Sequence, residues 1–194
     1  MARVARISPA LSLAFAFLPV LALADAAAVK EKAQTCAACH GPDGNSVNPL
    51  WPTLAGQSAR YLYLQLRDFK EGRRKDPLMS PVAQTLSRED IQDLSEYFSQ
   101  QKQLSNKFSA DTAKVAQGKK IADDALCPMC HLGGFSGQNE IPRVAGQQYD
   151  YVVKQLKDFR DRRRTNDAGN MAAYTRGLTD EQIDDLAQYT ATLY

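Results

Sequence analysis

Cysteine and histidine are nearly absent from this sequence, 4 and 2 in 194 residues, and all six fall in two pentapeptides, Cys36-Ala-Ala-Cys39-His40 and Cys127-Pro-Met-Cys130-His131. With none to spare, neither motif can complete a zinc site from Cys and His, because each supplies three of the four donors that zinc takes. A redox dithiol or an exported disulfide framework would account for the paired cysteines, but not for a His after each pair. Long apolar runs are scarce as well: after one near the start, no segment is apolar enough to cross a membrane. The alternating apolar–polar pattern of half-buried strands is missing, so a β-sheet protein is not expected.

The single apolar run extends from about Leu11 to Leu23, follows Arg3 and Arg6, and closes on Ala22-Leu23-Ala24 just before Asp25. This is the pattern of a cleavable secretory leader over residues 1–24, preferred to an uncleaved anchor because the run is short for a bilayer. The remaining chain is expected to be soluble and periplasmic. Net charge is the next thing it lacks. Without the leader, 24 − 2 = 22 basic residues face 22 acidic ones. The pI near 8.3 therefore belongs to the whole chain and is no nucleic-acid signature.

What is there points to covalent haem. Two thiols three positions apart on one helical turn can add across both vinyl groups of the macrocycle, and the histidine that follows can turn its imidazole to the iron. Cys36, Cys39, Cys127 and Cys130 are the expected attachment points for two haem c groups, with His40 and His131 as proximal ligands. A six-coordinate iron needs one more donor. Of the four methionines, Met1 leaves with the leader and Met129 lies inside the second motif. Met79 and Met171 stand 39 and 40 residues after His40 and His131, and each is expected in a loop before the last helix of its half. Thioether ligation favours ferrous iron and raises the reduction potential.

The two halves repeat each other. Pro52-Thr53-Leu54-Ala55-Gly56-Gln57 is answered by Pro142-Arg143-Val144-Ala145-Gly146-Gln147, and Tyr61, Gln65-Leu66, Asp68-Phe69 and Arg73 return 90 positions later. Such self-similarity is the mark of an internal duplication. We expect an all-α chain of two domains, residues 25–109 and 110–194, joined by a polar link over about 101–111. Each should hold three main helices: one leading into its haem motif (Ala28 to about Ala38, and Thr112 to about Leu126), one over Ser58–Glu71 or Asp150–Arg162, and a last one. The last helices open on the capping boxes Ser87-x-x-Asp90 and Thr179-x-x-Gln182, with Ile91, Leu94 and Tyr97, or Ile183, Leu186 and Tyr189, facing inward. Domains of this size need a large filler for their cores, and haem is that filler. Arg73, Arg74 and Lys75, with Arg160 and Arg162 to Arg164, form two basic clusters. They read by default as solvated helix ends, with propionate pairing or steering of an acidic partner as the functional alternative.

These residues resemble the dihaem class I cytochromes c of the cytochrome c4 type over essentially the whole chain after the leader. The likeness rests on Cys36 to Ser46, Pro52 to Gln57, Tyr61-Leu62 with Gln65-Leu66 and Phe69, Met79, and the Leu86 to Tyr97 segment. It implies two cytochrome c folds related by a pseudo-twofold axis, haem propionates near the interface, and electron transfer from a respiratory complex to a terminal oxidase without an enzymatic activity of its own. It also suggests that Pro52 and Pro142 wall the proximal side of each haem. The second half departs from the pattern: Leu132-Gly133-Gly134-Phe135 replaces Gly41-Pro42-Asp43-Gly44, Ile141 replaces Trp51, and no proline follows Met171 as Pro81 follows Met79. Two other functions share these motifs, a cytochrome subunit of a dehydrogenase such as a sulfide-oxidising flavocytochrome, and a dihaem peroxidase with one open iron.

Overall fold

The computed structural model describes residues 20–194. Of the leader expected over residues 1–24, positions 1–19 lie outside the described residues, and the remainder continues into the first helix. Among the described residues the chain is helical, with an isolated bridge between Gln138 and Ile141 in place of any strand. No helix there is long and apolar enough to cross a membrane.

The first unit holds α1 (Val20–His40), α2 (Ala59–Lys70), α3 (Met79–Thr85) and α4 (Arg88–Ser99). The second holds α5 (Thr112–Asp124), α6 (Cys127–His131), α7 (Tyr149–Arg160), α8 (Asn170–Thr175) and α9 (Asp180–Ala191). Both capping boxes form: the Ser87 hydroxyl accepts from the Asp90 amide and the Asp90 carboxylate returns to Ser87, and Thr179 and Gln182 do the same. Helix α2 begins on Ser58, whose side chain accepts from the Tyr61 amide. Ile91 and Leu94 of α4, and Ile183 and Leu186 of α9, are buried as their spacing predicts, while Tyr97 and Tyr189 are half-buried.

Two features differ from the expected three-helix units. Helix α1 runs unbroken through the first haem motif, whereas its counterpart stops at Asp124 and restarts at Cys127. The reason is Pro128, which stands where the first unit has Ala37: a proline there has no N–H to give and its ring would strike the carbonyl one turn back. Leu126 turns the chain with φ 56°, and α6 begins with proline in its first turn. The second difference concerns the methionines. Met79 and Met171 lie in short helices, not loops, at the first position of α3 and the second of α8. Asp76 accepts from the amides of Leu78 and Met79, each at 3.0 Å, and Asp167 accepts from those of Gly169 and Ala172, each at 3.1 Å. These aspartates close the start of each methionine-bearing segment.

The repeats also trade an aromatic ring. In the first unit Gly44 (φ 79°) lies under Phe98 of α4, and a Cβ on Gly44 would sit 2.8 Å from that ring. In the second, Phe135 takes the glycine's place and Thr190 that of Phe98, as the matching backbone bonds from Leu54 and Val144 and from Gly56 and Gly146 fix. Both rings are 4% exposed, so each core receives one phenylalanine from a different direction. Phe135 adopts φ 57°, a left-handed conformation unfavourable for a bulky residue, and its burial offsets that strain.

The units pack through the prolyl segments and through α2 and α7. The Tyr151 amide donates to the Pro49 carbonyl at 3.0 Å, and Gln148 reaches the Ser46 carbonyl at 2.6 Å. The link over 101–111 is laid down along this seam. Asn45 pairs with Lys102 and Leu104, Gln103 and Asn106 donate to carbonyls of residues 145–147, and Phe108 stacks on Tyr149 at 4.8 Å.

Within the second unit α5 crosses α9 at Gly118. A Cβ at that position would overlap the Asp185 carbonyl and approach the Tyr189 Cβ to 2.9 Å. Gly118→Ala is therefore expected to force the crossing apart and destabilise the second unit by about 1–3 kcal/mol despite alanine's better helix propensity. Denaturant unfolding of the haem-loaded protein checks this, and a neutral or stabilising result would contradict the close crossing.

Candidate functional site

In each unit the residues expected to hold haem gather at the end of the leading helix. Cys36 and Cys127 are half-buried, Cys39 and Cys130 are exposed, and no two of the four are joined in a disulfide. Until a haem is attached, burial pushes the thiols of Cys36 and Cys127 up. Cys36 packs on Ala33, Leu62, Leu94 and Phe98, and Cys127 packs on the equivalent cluster of Ile121, Ala122, Phe135 and Leu186. Met79 and Met171 are half-buried on their short helices, whereas Met129 is 73% exposed.

Both histidines are buried, and both are aimed by a proline. His40 Nδ1 lies 2.8 Å from the Pro52 carbonyl and His131 Nδ1 lies 2.9 Å from that of Pro142. A carbonyl can only accept, so Nδ1 carries the proton and donates it, which leaves the Nε2 lone pair free. Burial pulls both imidazoles below their ordinary pKa against the smaller upward effect of that hydrogen bond, so they are neutral at pH 7. A neutral imidazole with its tautomer locked is a metal ligand in waiting. In the second unit Phe135 stacks along the ring, centroid to centroid 6.0 Å, in the place left by Gly44 of the first.

The basic clusters divide. Arg73 pairs with Asp68 and Glu71, and Arg163 pairs with Asp158 and Asp161. Lys75 and Arg162 stay exposed. Arg74 and Arg164, by contrast, are buried between the units, 9% and 8% exposed, rather than solvated at helix ends. Each lies over a phenylalanine of its own unit, Phe69 at 4.5 Å and Phe159 at 4.4 Å. Each donates to both Gln65 and Gln155 and to one tyrosine of the other unit, Arg74 to Tyr151 and Arg164 to Tyr61, both at 3.1 Å. Among the described residues neither meets a carboxylate in a salt bridge. Their positive charge pulls the Tyr61 hydroxyl below its ordinary pKa, outweighing the opposite effect of burial.

This donor set fits haem and not a bare metal ion. Among the described residues no group of three or more His, Cys, Asp or Glu converges as a zinc site would require. Each unit offers one imidazole with a free lone pair, two thiols placed for thioether bonds, and an apolar cluster under the first of them. Two buried guanidinium groups with only neutral partners call for a negative charge nearby, and haem brings two carboxylates. Sequence reasoning missed the arginine pair's location, because nothing local to either arginine announces that a second one faces it.

Comparison with known proteins agrees. The cytochrome c family profile matches twice, over residues 26–102 and 115–193. Cytochrome c4 of Azotobacter vinelandii is 37% identical over 191 residues, which cover 89% of this chain and 91% of that one. The reduced recombinant cytochrome c4 from Pseudomonas stutzeri superposes with a TM-score of 0.81 at 36% identity, covering 87% of this chain and 98% of that one. The thiosulfate dehydrogenase electron acceptor of Thiomonas intermedia is 34% identical over 177 residues, 85% of this chain and 81% of that one. With one family match on each repeat and relatives aligned along nearly their whole length, the chain belongs to the cytochrome c family, as a dihaem electron-transfer cytochrome of the cytochrome c4 type with covalently bound haem c.

Proposed function

We propose that Cys36 and Cys39 anchor one haem and Cys127 and Cys130 the other, with His40 and Met79, and His131 and Met171, as the axial pairs. The observation that carries this reading is the imidazole geometry, repeated in both halves: a buried neutral ring, its Nδ1–H fixed on a prolyl carbonyl and its Nε2 free. The haem iron supplies reversible one-electron transfer. The chain's residues set its terms. The Pro52 and Pro142 carbonyls hold each ring's orientation and raise its basicity, thioether sulfur from Met79 and Met171 favours the reduced iron, and the helical clusters exclude water.

The protein then acts as a periplasmic shuttle, exported by the cleaved leader of residues 1–24 and built of domains 25–109 and 110–194. It carries electrons from a respiratory complex to a terminal oxidase and catalyses no reaction of its own. Exposed Lys75 and Arg162, in no salt bridge among the described residues, suit an acidic docking partner. A second reading is favoured by the relative from Thiomonas intermedia, whose name makes it the electron acceptor of a thiosulfate dehydrogenase. On that reading the chain serves one dehydrogenase as its dedicated cytochrome.

Three measurements test these assignments. With methionine on both irons, the ferric protein should show the near-infrared charge-transfer band of thioether ligation for both haems and should bind cyanide slowly, and the ferrous protein should bind CO slowly. Fast CO binding at either haem would mean an open iron and a peroxidase-like site. Met79→His should keep the fold and lower one midpoint potential of the two. An equal fall in both would show that Met79 does not serve one haem alone. Untagged native protein should purify without a stoichiometric dehydrogenase, and a stable complex with one would select the second reading.

A further inference from the structure

The peptide that orients each histidine is gripped on its other side by the opposite unit. The carbonyl of Pro52 accepts from His40 at 2.8 Å, and the N–H of that same peptide group, belonging to Thr53, donates to Gln147 Oε1 at 2.8 Å. Gln147 returns its Nε2–H to the Thr53 carbonyl at 2.9 Å. The second unit mirrors this. Pro142 accepts from His131 at 2.9 Å, the Arg143 N–H donates to Gln57 Oε1 at 2.7 Å, and Gln57 Nε2 returns to the Arg143 carbonyl at 2.8 Å. Gln57 and Gln147 are 6% and 7% exposed. Each Oε1 takes a second backbone donor, Ser58 or Gln148, so a flipped amide would set NH2 against two N–H groups, and the orientation is fixed.

A peptide group transmits polarisation. When its N–H is engaged, its carbonyl oxygen becomes more negative, by roughly 10–30% in bond strength along such chains, and it accepts more strongly from what lies beyond. A stronger acceptor on imidazole Nδ1–H makes Nε2 a better electron donor, which favours ferric iron. We propose that Gln147 and Gln57 are crosswise positioning residues, each lowering the reduction potential of the haem in the other unit through the prolyl peptide that holds its histidine. Docking of the two units is thereby written into the electronics of both sites. The proposal rests on His40 and His131 being the proximal ligands.

The test uses the full-length haem-loaded protein. Both midpoint potentials are resolved by redox titration, with NMR of the two histidine Nδ1–H resonances to assign each to its unit. Gln147→Leu is expected to raise the potential of the first-unit haem and shift the His40 Nδ1–H resonance, leaving the second unit in place. Gln57→Leu should do the converse. Because leucine could simply loosen the seam, Gln148→Leu is measured beside it. That variant removes the buried seam bond to the Ser46 carbonyl without touching the prolyl peptide with its side chain, so a loosened seam would move the first-unit potential and the His40 resonance in both variants, whereas the relay moves them in Gln147→Leu alone. The proposal is overturned if the potentials do not move, if the shift stays within the mutated unit or falls equally on both haems, or if Gln148→Leu reproduces it. Wild-type spectra lacking an axial histidine on either haem would instead sink the ligand assignment, and the proposal with it, before any variant is made.

Discussion

One hydrogen bond, made twice, conditions everything else in this molecule: the donation from a buried imidazole Nδ1–H to a prolyl carbonyl. It selects the tautomer and turns Nε2 outward, while burial keeps the ring neutral. The proline that supplies the carbonyl also restricts the chain around it, since its φ is set by its ring. The helix before the motif, the loop after it and the unit interface are all arranged so that this carbonyl has one place to be. In the second unit the helix breaks before Cys127 to admit Pro128, yet His131 finds its carbonyl within 0.1 Å of the distance in the first.

The interface follows from the same segments. Duplication placed two prolyl loops face to face, and the glutamine five positions after each proline closes on the other loop as a two-point backbone clamp. Beside the clamps lie Arg74 and Arg164, sharing Gln65 and Gln155 in a ring of six hydrogen bonds that also takes in both tyrosines. Such a seam is polar, buried and nearly symmetric. It therefore specifies one orientation of the units more than it adds stability, since each polar group exchanges water for a protein partner at little net gain.

Much of this was legible in the sequence wherever the cause was local. The capping boxes at Ser87 and Thr179, the inward faces of α4 and α9, and the span of α2 follow from residues within one or two turns of each other. The haem motifs were legible for the same reason. The short helices at Met79 and Met171 escaped because Asp76 and Asp167, which start them, lie in polar stretches that read as loop. Trading Gly44 and Phe98 for Phe135 and Thr190 also escaped: each substitution looks like a local departure, and only the packing shows that the two compensate. Gln57 and Gln147 stood in plain sight as a repeated letter, but their partners lie 86 and 94 residues away, and no periodicity reports a contact at that range.

The aromatic trade has a bearing on how the two halves can diverge. Because the ring that seals each core comes from a loop in one half and from the final helix in the other, the halves are no longer interchangeable parts. A hybrid carrying the Gly41–Gly44 loop in the second half would face Thr190 and leave a hole, and the reverse graft would press Phe135 against Phe98. Recombination between the repeats is thus discouraged by steric fit alone, which leaves each half free to drift toward its own redox character.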